Sequence, residues 1–220
     1  MRKFVYTLMF VVALAFTASA QVRVGAFVGY TTSNDKSEAK LQDGGDFFPG
    51  FTASFESAHY KRFSFRVRGD VAKPQLPTLF TTDEGAERPS YEVRVNPEVF
   101  LNFGKVFVGG GFDAFYHAGL HNDEGEEYSR SYGVNPVATA GVRITRNHEL
   151  SASYLFKDNV TYLSGVRANY FYTLPKGFRV GFEANRLQFR ESNREGYIDP
   201  YYETDNAFKI SFEIPLTGRK

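Results

Sequence analysis

Beyond its first twenty residues the chain alternates between apolar and polar side chains, and the alternation returns about ten times. Phe63-Ser64-Phe65-Arg66-Val67-Arg68-Gly69-Asp70-Val71 is the clearest case: apolar residues or glycine stand at odd positions, serine or charge at even ones. A strand turns successive side chains to opposite faces, so each segment of this kind has one oily face and one ionic face. Such strands form sheet, and the two faces of that sheet need two different media.

The first twenty residues read as a cleavable signal peptide rather than as part of the fold. Arg2 and Lys3 precede an apolar run from Phe4 to Phe16, and Ala18-Ser19-Ala20 fits the small-x-small cleavage rule. The expected division is a signal peptide over 1–20 and one β-barrel domain over 21–220. The signal holds two of the 26 Lys and Arg, against 25 Asp and Glu in the chain, so the remainder is close to neutral. It has no concentrated basic face for nucleic acid. Cysteine is absent, which removes disulfides, thiolate ligands and a thiol nucleophile. No later segment has the run of about 20 apolar residues that a transmembrane helix requires. The mean hydropathy of −0.35 does not exclude a membrane barrel, because interleaved apolar and polar residues cancel in the average.

Ten strands are expected: 21–31, 50–58, 62–72, 90–103, 106–117, 133–145, 149–157, 165–174, 178–190 and 206–214. Eight, with two of these reassigned to loops, is the alternative. Short and long connections alternate, with both termini on the short-turn side, as in a closed antiparallel barrel that crosses a membrane. The long connections are 32–48, 73–89, 118–132 and 191–205, with a medium one at 158–164. In the ninth strand the apolar phase changes after Asn185, from Phe178, Val180, Phe182 and Ala184 to Leu187 and Phe189. One inserted residue does this, so a β-bulge is expected near Asn185-Arg186. Pro97 and Pro136 cannot donate to a ladder and are expected at bulges or beyond the membrane. They belong to a weak internal echo: Asp83-Glu84-Gly85, Tyr91 and Val95-Asn96-Pro97 return as Asp123-Glu124-Gly125, Tyr132 and Val134-Asn135-Pro136. Pro215 is expected to end the last strand at Ile214.

Three features point the oily face outward. It mixes Ala, Gly, Val and Phe without size complementarity, which lipid tolerates and a close-packed interior does not. Aromatics crowd the strand ends (Tyr30, Tyr91, Phe103, Tyr116, Phe156, Phe178), where interface girdles form. The opposite face sets small residues beside long ionic ones: Gly25, Gly29, Gly109 and Gly111 with Arg167 and Asn169. With this architecture and its signal segment, the whole mature chain resembles the small outer-membrane β-barrel proteins of the OmpX/opacity type. The resemblance implies outer-membrane lipid and the insertion machinery as partners, and extracellular protein partners through the loops. Such barrels usually end on an aromatic residue, whereas here Phe208 to Ile214 is followed by Pro215-Leu216-Thr217-Gly218-Arg219-Lys220.

The candidate site is the lumen-facing charge set, in which Arg66, Arg68, Glu92, Arg94, Glu98, Arg167, Arg179 and Glu183 form the expected network. Arg66, Arg68, Glu92, Arg94 and Glu98 are its expected centre. Arg62, Arg143 and Lys209 and the acids Glu56, Asp70, Asp113 and Glu213 complete the set, which leans basic on this reading. Buried charges must be paired, and a narrow barrel has a side-chain-filled interior, so the set is read as a plug. The alternatives are a slim pore with slight anion preference and a soluble periplasmic ligand-binding barrel. Barrels that the chain resembles include lipid A deacylases, palmitoyl transferases and surface proteases, which need a His beside Ser or Asp at an external strand end. His117 lies four residues from Asp113, His121 near Asp123, and His59 and His148 in short turns; none makes a convincing catalytic set, and the chain is read as a non-enzyme without cofactor or metal. The run Asp123-Glu124-Gly125-Glu126-Glu127 lacks EF-hand ligand spacing and reads as a solvated loop. Tyr197, Tyr201 and Tyr202 read as an adhesive patch, as packing on neighbouring loops or as residues at the membrane rim.

Overall fold

The structure, a computed structural model, describes residues 21–35, 45–57, 62–72, 91–122, 126–157, 164–190 and 202–216. Of 33–35, 45–46, 117–122, 126–132, 189–190 and 202–205 only the backbone is described. The expected signal segment, His59, the run 123–125, Tyr197 and Tyr201 lie outside the described residues.

Ten strands form: β1 (Gln21–Asp35), β2 (Gly45–Glu56), β3 (Phe63–Ala72), β4 (Tyr91–Phe103), β5 (Val106–Asn122), β6 (Glu126–Arg143), β7 (His148–Leu155), β8 (Ser164–Thr173), β9 (Arg179–Arg190) and β10 (Tyr202–Pro215). Each pairs antiparallel with its sequence neighbour, and β1 pairs with β10 to close the barrel. Closure leaves no free edge within the ring, which is what a sheet in lipid requires. Val28, Phe51, Val71, Val95, Val108, Leu150, Val166, Phe182 and Ile210 point outward and are exposed, while Arg66, Arg68 and Asp70 are buried inside.

Several expected boundaries shift at the long-connection end. β5 and β6 pair without interruption from Val106↔Val142 to Asn122↔Glu126, so most of the stretch expected as an acidic loop is strand. Away from the membrane neither face has to be oily, and the alternation that marks a strand in the sequence fades while the backbone ladder continues. β10 runs one residue beyond Ile214: Pro215 pairs with Arg23, and the next N–H, of Leu216, reaches Val22 O at 2.9 Å.

The expected bulge in β9 is absent. The register runs unbroken from Tyr202↔Arg190 to Glu213↔Arg179 on one side and from Ser164↔Gln188 to Thr173↔Arg179 on the other. Leu187 points inward at 2% exposure, and Arg186 points outward. The parity is constant and the surroundings change, because at this height the lumen closes with apolar side chains.

The two prolines also sit inside strands rather than at bulges. The β4–β5 ladder skips Asn96 and Pro97 and resumes in the same register, from Val95↔Ala114 to Glu98↔Gly111. Proline has no N–H for the opposite carbonyl; the preceding asparagine supplies one. Asn96 Nδ2 donates to Phe112 O at 2.8 Å, and Asn135 Nδ2 donates to Phe156 O at 2.9 Å. The repeated Val-Asn-Pro is thus a repeated hydrogen-bond substitution.

The interior carries a second regularity. Every lumen-facing phenylalanine whose side chain is described stands directly opposite a glycine on a neighbouring strand: Phe27↔Gly50 and Phe48↔Gly29, Phe100↔Gly109, Phe107↔Gly141 and Phe115↔Gly133, and Phe171↔Gly181. A Cβ at Gly29, Gly50, Gly109, Gly141 or Gly181 would meet the partner ring. The glycine leaves room for the ring over the next strand, which recovers packing that a bare backbone lacks.

Gly50→Val and Gly141→Val are expected to lower the urea unfolding midpoint of the refolded barrel, at a cost of roughly 1–3 kcal/mol each from overpacking. Gly69→Ala, on the outward face with Arg94 O at 3.8 Å from the added carbon, is expected to leave the midpoint unchanged. Asn135→Ala removes the substitute donor and is expected to cost about 1 kcal/mol in the same measurement.

Candidate functional site: the ionic lumen

The inward positions of ten alternating strands bring charges from distant parts of the chain together in one narrow tube. At the short-turn end Glu56 is the hub. Arg23 Nη1 reaches it at 2.8 Å, Arg66 Nε at 3.0 Å and Arg179 Nη1 at 2.5 Å. Arg179 also donates to Glu213 Oε2, from Nε at 3.1 Å and from Nη2 at 2.5 Å. Ser54 Oγ donates to the same oxygen at 3.0 Å. Arg66 extends to Glu149, which is joined by Arg143 Nε at 3.3 Å.

In the middle, Lys209 Nζ bridges Asp70 at 2.7 Å and Glu183 at 3.0 Å, and Arg68 binds the same two acids at 3.2 and 3.4 Å. Towards the long-connection end, Arg167 pairs with Asp113, whose carboxylate also stands 3.6 Å from Arg94, and Arg94 pairs with Glu92. Arg167 ties this group to the middle one, since its Nε lies 3.9 Å from Glu183.

The aromatic rings that cover glycines carry the guanidinium groups in turn. Arg179 lies 4.4 Å from the Phe171 centroid, with Arg68 and Arg66 at 5.6 and 5.7 Å from the same ring. Arg143 lies 4.6 Å from Phe107, Arg94 5.5 Å from Phe115 and Lys209 4.8 Å from Phe27. Stacking of this kind supports a cation in a desolvated place. The lumen is therefore built in sequence from glycine to ring, from ring to cation and from cation to carboxylate.

All eight residues expected in the network face the lumen and all are buried or nearly so. The expected common centre is not formed. Arg66 belongs to the turn-end group and Arg94 with Glu92 to the opposite end. Glu98, in register with Arg66, accepts a hydrogen bond from the Thr139 hydroxyl, which lies 2.8 Å from Ser153 Oγ. Arg62 is not part of the network: it is exposed in the turn before β3. Arg23 and Glu149 are part of it, and strand parity was the signal that finds them, since both occupy polar-face positions of their strands. Together the described lumen holds eight cations (Arg23, Arg66, Arg68, Arg94, Arg143, Arg167, Arg179, Lys209) and eight carboxylates (Glu56, Asp70, Glu92, Glu98, Asp113, Glu149, Glu183, Glu213). The expected basic lean is thereby corrected to a balance.

Towards the long-connection end the ions give way to two apolar clusters. Phe27, Phe48, Ala72 and Ala207 form one; Val137, Leu155 and Leu187, with Phe115 against them, form the other. Ions and oil together fill the described lumen.

A closed tube whose outside is apolar and whose buried ions answer one another inside needs lipid around it. The protein is an integral outer-membrane β-barrel. A soluble barrel would carry the reverse arrangement, with its greasy side chains packed inside.

No protein-family model and no curated protein sequence matches the chain. Solved structures of similar shape include the attachment invasion locus protein Ail of Yersinia pestis, in complex with a heparin analogue, at 10% identity and TM-score 0.41, covering 88% of this chain and 99% of that one. The outer membrane protease OmpT of Escherichia coli is similar at 11% identity and TM-score 0.42, covering 90% and 96%. The toluene transporter TodX of P. putida is similar at 9% identity and TM-score 0.40, covering 94% and 92%.

Removing the Glu56 hub leaves three arginines facing one another. Glu56→Ala is expected to cost about 3–5 kcal/mol, the range for an uncompensated buried charge, read as a lower melting midpoint of the barrel in detergent. Arg66→Ala is expected to lower it as well; an unchanged midpoint in both variants would sink the paired network.

Proposed function

We propose that this barrel is a sealed, non-conducting outer-membrane protein with a structural and interactive role. The observation that carries the reading is the filled lumen: its charges are balanced, all but Glu98 stand in ion pairs among the described residues, and apolar clusters follow them towards the long-connection end. An ion entering such a tube would have to displace a partner from a buried pair, and the uncompensated charge left behind is costly. The reading assigns no catalytic residue. His148 is described, and its Nδ1 lies 2.7 Å from the Tyr170 hydroxyl on the outward face; of His117 and His121 only the backbone is described.

The interactive part of the role falls to the long connections and to the β5–β6 hairpin, which extends past the neighbouring strands. Extracellular proteins are their proposed partners. For entry into the membrane, the outward side chains of β10, Phe208, Ile210, Phe212 and Ile214, are the proposed signal for the insertion machinery.

Planar-bilayer recording of the refolded protein tests the sealed lumen. The expected record has no steady single-channel steps. Steady steps that survive repeated reconstitution, with a reproducible ion selectivity, would establish the pore reading in its place.

A further inference from the structure

Charge is sorted along the barrel axis. The four short turns, 57–62, 104–105, 144–147 and 174–178, carry Lys61, Arg62, Lys105, Arg146 and Lys176, and no Asp or Glu. The five connections at the opposite end, 36–44, 73–90, 123–125, 156–163 and 191–201, hold eleven Asp and Glu against six Lys and Arg. The lumen between them is balanced. Of the turn cations, Arg62, Lys105, Arg146 and Lys176 are described; all four are exposed, and none forms an ion pair among the described residues.

Their depth is fixed by their neighbours. Arg62 adjoins outward Phe63, Lys105 lies between Phe103 and Val106, and Arg146 follows Ile144; all four of these apolar residues are exposed. Tight turns keep the cations there. Gly104, at φ 66°, makes the β4–β5 connection two residues long, and Lys176 and Gly177, at φ 65° and 86°, fold the β8–β9 connection sharply. A side chain on such a turn cannot reach far from the edge of the apolar belt, where headgroup phosphates lie. The same rim carries amphipathic rings: His148 meets the Tyr170 hydroxyl at 2.7 Å, and its ring centroid stands 4.7 Å from that of Tyr172. Such side chains suit a plane that is oily on one side and wet on the other.

We infer that the short-turn rim is a binding surface for anionic phospholipid headgroups of the leaflet it faces. Four unpaired cations spaced around one end of the barrel, with no acid on the turns, favour a headgroup with net negative charge over a zwitterionic one. The acidic long connections repel the same lipid at the other end, so the sorting also favours one orientation of the barrel.

The test titrates the refolded mature barrel in detergent with dioleoylphosphatidylglycerol and dioleoylphosphatidylcholine and counts retained lipid by native mass spectrometry. The expected preference for phosphatidylglycerol is about tenfold, weakened by added salt. The combined variant Arg62→Gln, Lys105→Gln, Arg146→Gln, Lys176→Gln is expected to bring the two lipids within about twofold of each other. Arg186→Gln, a change in an outward cation nearer the opposite end, is expected to keep the preference. Should the combined variant not fold, the four single variants are read instead, each expected to lower the preference by about twofold. Equal retention of both lipids by the unaltered protein would overturn the inference. So would a preference that survives the rim substitutions, or tighter retention of a soluble peptidoglycan fragment than of phosphatidylglycerol.

Discussion

Sixteen charged side chains enclosed in a tube lined by a lipid-facing wall can persist only as neighbours of their opposites. This constraint organises the rest of the molecule. It sets the composition of the inward face, where each of the three groups of ions contains both signs and Glu56 alone meets three arginines. It also leaves the remaining charges to the two ends, where water and headgroups solvate them. The outer face is simpler: it has to be apolar and has no further partner to satisfy, which is why Ala, Val and Phe mix there without a packing pattern.

Glycine and phenylalanine solve a problem of width. The ions need firm backing to stay at bonding distance. A ring laid over a glycine on the next strand thickens the wall inward by one aromatic layer. Guanidinium groups then rest on that layer, three of them against Phe171. Fluctuation of a ring would move the cation it supports, so wall packing and charge pairing reinforce each other.

The strand count, the direction of each face and the membership of the lumen were legible in the sequence because all three follow from a period of two. What was not legible required knowledge of which strand lies beside which. One partner of Arg179 is Glu56, 123 residues away, and no local pattern connects them. The pairing of Phe107 with Gly141 depends on the β5–β6 register and is invisible in either segment alone. The expected bulge in β9 failed for a different reason. The inference assumed that the oily face stays outside along the whole strand, whereas Leu187 is apolar because it helps close the lumen. Arg62 was misplaced by one position for a similar reason: the alternation of β3 continues into a turn that no longer has an inside. Asn96 and Asn135 were visible as an echo, but their purpose required the carbonyls they face.

The cluster around Glu56 also bears on how the barrel forms. Its members come from β1, β2, β3 and β9, and Glu213 adds β10. These strands flank the seam where the first and last segments of the sheet meet. While the seam is open, Arg179 and Glu56 sit at opposite ends of an unfinished ribbon, and each faces a greasy bilayer with part of its charge unanswered. Zipping the seam answers several of them in one event. Half-closed intermediates are thereby disfavoured, and the barrel should shut and reopen as a unit, its final hydrogen-bond ladder latched by ions that meet nowhere else along the pathway.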